Sequence, residues 1–119
     1  MAERAPADPP DIPAMRETAQ ILLDPDLLAL PPAAGELDTL TQAARGHMEI
    51  LIPEVEQAAG KPAEHSVPRY CALACVGEAR GKLRAEPGHG TGGTLGYAQR
   101  LARVLNALCD HYEKIGGRS

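Results

Sequence analysis

The chain has 119 residues, 44% of them hydrophobic and 24% charged, with a formal net charge of −4. That length suits one domain that folds without a metal or disulfide, and the lack of Phe and Trp leaves a Leu, Ile, Val, Met and Ala core, which favours closely packed helices over a sandwich or barrel. The acidic balance and scarce aromatics weigh against nucleic-acid binding, and no run of about 18 apolar residues offers a membrane span.

The Pro- and Ala-rich stretch 1–10 reads as a disordered tail ahead of a single helical domain over 11–116. Asp11 is placed to cap a first helix, 12–24, with Pro13 in its first turn, where a missing N–H costs nothing. Ile12, Met15, Ala19, Leu22 and Leu23 recur at helical spacing, and Asp24-Pro25 closes the run. Leu27, Leu28 and Leu30 are apolar enough to be expected against the core.

A second helix is predicted over 34–59. Leu37, Leu40, Ala44, Met48, Leu51, Val55 and Ala58 step by three or four along one stripe. Pro53 removes a backbone hydrogen bond and crowds the carbonyl of Glu49, so it predicts a kink. Val55 and Ala58 stay in phase beyond it, which argues against a break.

The third helix, 66–86, opens at Ser66, a capping residue, and stops at Pro87-Gly88. Ala72, Cys75, Val76, Ala79 and Leu83 form its inner stripe. Gly77 and Gly81 each cost about 1 kcal/mol relative to Ala inside a helix, so a neighbouring helix is expected close against them. The fourth helix, 94–115, is the clearest. Thr94 is the expected cap, and Tyr97, Leu101, Val104, Leu105, Leu108, Tyr112 and Ile115 share one face. Short connections make these four neighbours antiparallel, so the fold class is an all-α, antiparallel four-helix bundle. The glycine-rich connection at 87–93 is too long for the turn of a helix-turn-helix DNA module.

Three cysteines, an odd number, in a chain with no apolar secretory h-region point to reduced thiols and a cytoplasmic setting. Charge is split: residues 1–64 hold 12 acidic against 4 basic side chains, residues 65–119 hold 4 against 8. Such asymmetry marks either mutually screening helices or a surface for a charged partner.

Catalytic and metal signals are weak. Cys71 and Cys75 lie on one side of a helix, but Cys109 and His111 diverge by roughly 160° on theirs, so no metal site is expected. No nucleophile stands beside a base and its orienting group, and no cofactor motif is present. The glycine-rich stretch Gly88 to Thr94 lacks the Gly-Lys-Ser/Thr ending of a phosphate loop. A non-enzymatic role is favoured. Should the bundle enclose a small-molecule pocket, the groups placed to line it are His47, Tyr70, Arg80, His111 and Tyr112. Ala43 and Ile50 on the second helix, and Leu73 and Gly77 on the third, lie off the inner stripes. They need extra cover, from the first helix and the Leu27–Leu30 segment, or from a protein partner or second copy.

Three phrases carry a resemblance: Gly46-His47 with Leu51-Ile52-Pro53-Glu54-Val55-Glu56, the run from Cys71 to Arg80, and the run from Arg100 to Tyr112. The chain resembles a family of short actinobacterial proteins of unknown function, often labelled natural-product-biosynthesis proteins. The resemblance spans about Ile12 to Glu113 and implies a role beside a biosynthetic pathway, but no chemistry. The extra apolar strips, split charge and absent catalytic motifs make a helical interaction or regulatory module the expected function.

Overall fold

The computed structural model of the protein describes residues 9–30, 32–60, 66–85 and 93–115. Most of the predicted tail, the loop after Gly60, the glycine-rich connection and the closing Gly116-Gly117 lie outside the described residues. Helices span Ile12–Leu23 (α1), Asp26–Ala29 (α2), Ala34–Ala59 (α3), Val67–Arg84 (α4) and Gly93–Lys114 (α5), with no strand among the described residues. The single-turn α2 is an appendage. The other four are the predicted bundle helices, displaced at their ends by no more than two residues.

Local chemistry sets the helix starts. Asp11 Oδ1 accepts the Ala14 N–H at 3.1 Å, and Ser66 Oγ accepts that of Arg69 at 3.2 Å. Each satisfies a donor that the first turn cannot pair internally. Helix α3 has no such cap; Glu36 Oε1 reaches back to the Ala33 N–H at 3.3 Å instead. It stays one helix through Pro53, with no break. Helix α5 begins one residue before Thr94, at Gly93, whose φ of 62° lies in the left-handed region. Thr94 therefore sits inside the first turn and is not the cap, a departure from the expectation.

Directions follow from contacts between helices. Arg16 near the start of α1 pairs with Asp110 and Glu113 near the end of α5, and Gln99 Nε2 donates to the Leu22 carbonyl at the other end. Helices α1 and α5 are thus antiparallel. Arg45 reaches the Leu83 carbonyl and Arg69 the Ala59 carbonyl, so α3 and α4 are antiparallel too. The bundle is a flattened rhombus. Helices α3 and α5 pack together across its short diagonal, and α1 and α4 flank that pair on opposite sides without substantial packing between them.

One core runs through the centre. Met15, Leu22, Met48, Leu51, Val55, Leu101, Leu105 and Leu108 are essentially inaccessible to solvent. Burying each such side chain stabilises the fold by roughly 1.5–3 kcal/mol. Alanines 19, 44, 72, 79, 98 and 102 fill the seams between helices, where small side chains allow close axes.

Two packing expectations are corrected. Leu30 does not fold down: it is 78% exposed, because α2 turns the chain away before the core is reached. The Gly77–Gly81 strip is not clasped by a neighbouring helix. A Cβ at Gly77 would meet nothing within 4 Å, and at Gly81 only the far end of Arg84. These glycines face outward from the bundle.

Candidate interaction surfaces

The residues proposed to line an internal pocket do not converge on one cavity. His47 is half-buried on α3, with Nε2 at 3.3 Å from Thr18 Oγ1 of α1. Arg80 is exposed on α4 and pairs with Glu56 at 2.7 Å; that contact holds the Glu56 carboxyl below its ordinary pKa. Tyr70 projects into solvent, 78% exposed. His111 is half-buried on α5. Its neighbour Tyr112 is buried, and burial, with Glu54 nearby, pushes its hydroxyl pKa up. Among the described residues, no three His, Cys, Asp or Glu side chains gather as a metal site would require.

The thiols divide by environment. Cys75 and Cys109 are buried, and desolvation is the main cause that pushes each up to about 11. Both are therefore protonated and unreactive at neutral pH. Cys71 is exposed on the outer side of α4.

That outer side is the most apolar exposed helix face described. Val67, Tyr70, Ala74, Gly77, Gly81 and Arg84 step alternately by three and four, which puts them on one stripe. Val67 is 71% exposed, and Leu73, at the stripe's edge, 36%. Cysteine 71 borders the opposite edge. Open glycines keep the middle of the stripe shallow.

A second apolar surface lies on the other side of the molecule. Ile21 of α1, Leu27 of α2, Leu30, Pro32 and the Thr39–Leu40 turn of α3 line an open groove of about 780 Å³, with Glu36 on its wall. The groove was not foreseen, because it depends on where α2 turns. Its α3 wall continues along the helix through Ala43 and Ile50, four and eleven residues past Thr39. Ala43 is exposed and Ile50 is 55% exposed, so α1 and the α2 segment do not cover them.

A third feature escaped the sequence reading. Arg45 donates to the Tyr97 hydroxyl and, at 2.9 Å, to the Leu83 carbonyl; Tyr97 in turn donates to the Lys82 carbonyl at 3.4 Å. A side chain of α3 thereby reaches the Leu83 carbonyl in the last turn of α4, and one of α5 adds a second donor to the Lys82 carbonyl, which already accepts the Ala85 N–H. Together they lock the end of α4 onto α3 and α5, and so hold the outer stripe of α4 in place. Only a lone Arg beside an apolar stripe hinted at it.

At the opposite end Arg16 bridges Asp110 and Glu113, each at 2.8 Å. Burial opposes the guanidinium charge, but the two carboxylates outweigh it and raise the pKa of Arg16. No helix among the described residues is long and apolar enough to cross a membrane.

No curated protein and no solved structure matches the chain. A family model does match, over residues 13–117, which takes in every bundle helix but for the first residue of α1. The chain therefore belongs to DUF6415, a family of unknown function.

Proposed function

We propose that this protein is a non-catalytic helical interaction module. It engages a protein partner or a second copy of itself through the outer face of α4; the odd cysteine count favours a cytoplasmic setting, and the earlier resemblance a natural-product pathway. The observation that carries the reading is the unpartnered apolar stripe of Val67, Tyr70 and Leu73. Single exposed apolar residues are ordinary, but a contiguous helical stripe of them marks a contact surface. Arg45 anchors that helix from within, as a docking surface needs a rigid support.

The test compares native protein with Tyr70→Glu by affinity capture from native cell extract, with circular dichroism to check folding. The expected result is a protein held in fixed ratio by the native chain and lost with Tyr70→Glu, at unchanged helix content. Identical capture profiles from both chains, or no protein held by either, would contradict the reading.

The groove supports a second reading, a carrier of small apolar molecules, because its size and largely apolar lining resemble ligand clefts. That reading predicts that apolar pathway metabolites raise the melting temperature of the native chain but not of Leu30→Glu. In this case His47, Tyr70, Arg80, His111 and Tyr112 have no part in binding.

A further inference from the structure

We infer that the groove between α1, α2 and α3 is filled by the outer face of α4 from a second copy, so that chains associate head to tail. This rests on the interaction reading above and names its partner.

Charge complementarity singles out a second copy. All the groove's lining residues belong to the stretch from Glu17 to Ala44, which carries five acidic side chains and no basic one. Helix α4 carries Arg69, Arg80, Lys82 and Arg84 against a single acid, Glu78. Arg80 is partly neutralised by Glu56 of α3 and Arg69 is held at the Ala59 carbonyl, so Lys82 and Arg84 carry most of the charge offered outward. An apolar groove with Glu36 on its wall, in an acidic stretch of chain, thus has its counterpart on the same chain, an apolar stripe on a helix of net positive charge. Opposed charges of this kind steer association and fix register more than they add affinity.

The lengths agree. From Gly35 to Ile50 the acceptor wall runs about 22 Å, and from Val67 to Arg84 the stripe runs about 26 Å, at 1.5 Å per helical residue. The two surfaces cannot meet within one molecule, because α1 and α4 flank the α3–α5 pair on opposite sides. Two different patches that complement each other make a heterologous contact, which propagates from copy to copy unless a ring closes. In the contact, Tyr70 and Leu73 enter the groove beside Ile21, Leu30 and Glu36, and Arg84 lies further along the α3 wall. Ala43 and Ile50 extend the acceptor surface, and Gly77 lets it approach the α4 backbone.

The experiment is sedimentation equilibrium on the full chain, alone and in mixtures. Leu30→Glu removes the acceptor and keeps the donor face; Tyr70→Glu does the reverse. Both residues are exposed, so both variants should keep native helix content and melting temperature, checked by circular dichroism. For the native chain the average mass should rise with concentration past twice 12.6 kDa, and added salt should lower it. Each variant alone should remain a monomer. Mixed in equal amounts, they should form a one-to-one dimer that grows no further, since one donor and one acceptor remain intact. Glu36→Lys should weaken native association.

A native chain that is monomeric at every concentration overturns the inference. So does a dimer that survives Leu30→Glu but not Tyr70→Glu, which would mean a symmetric α4–α4 contact. A mixture that stays monomeric overturns it as well. None of these touches the broader interaction reading, which stands or falls on the capture experiment with Tyr70→Glu.

Discussion

Helices α4 and α5 lie side by side, and the sequence gives both an apolar stripe, yet their surroundings differ. Helix α5 packs against α1, α3 and α4 and buries nine residues, from Tyr97 to Tyr112. Helix α4 packs only against α3 and α5 and buries four: Ala72, Cys75, Val76 and Ala79. Mostly small side chains on its inner face, with Val76 and Leu83, hold α4 to its neighbours, while Val67, Tyr70 and Leu73 remain outside. The comparison separates two uses of apolar surface. On α5 it holds the fold together, and on α4 part of it is left over for contact with something else.

The contrast breaks first at the core. Leu105→Ala, at a position with no solvent exposure, should cost about 2–5 kcal/mol, measured by urea unfolding. A loss within the range of surface substitutions would mean that α5 is not the centre of the bundle.

pH probes the same buried surface. The raised pKa of Cys75 and Cys109 means that above pH 9 the folded chain still holds protons that the unfolded chain has released. Their contribution to stability is complete below pH 9 and declines as pH rises to about 11, by up to about 1.4 kcal/mol per pH unit for each thiol. Unfolding followed from pH 8 upward, against a Cys75→Ala, Cys109→Ala double variant with a flatter profile, checks this.

Arg45→Met keeps the aliphatic stem but strands the Leu83 carbonyl. The expected loss is about 1–3 kcal/mol, with amide exchange at the end of α4 accelerated before the rest. Uniform acceleration along the chain would show that Arg45 does not specifically anchor α4. Arg16→Ala breaks a partly exposed bridge, and should cost under about 1 kcal/mol, fading as salt is added.

Tyr70→Glu should have the smallest effect, within about 0.5 kcal/mol of the native chain, because its site is solvated. A large loss there would erase the distinction between the two helices.

Much of the bundle was legible in sequence. Stripes at three- and four-residue spacing, Asp11 and Ser66 as caps, and continuity past Pro53 are local signals, each carried by neighbours within one or two turns. Ala43, Ile50, Leu73 and Gly77 could also be recognised as off-stripe. What stayed hidden depends on distant partners. Arg45 meets Tyr97 across 52 residues, and the groove depends on where α2 leaves Leu27 and Leu30 relative to α1 and α3. The glycines of α4 suggested a close neighbour because their cost was visible and their outward direction was not.

Alkylation of Cys71 offers the most direct measure of whether copies of the chain meet through the outer face of α4. This thiol is exposed at the edge of that face, while Cys75 and Cys109 are shielded in the core. The modification rate of Cys71, followed by mass spectrometry over a dilution series of the native chain, should slow as protein concentration rises. In Tyr70→Glu the rate should stay fast throughout. A Cys71 rate that is the same at every concentration, and the same in both chains, would contradict the claim that copies meet through this face.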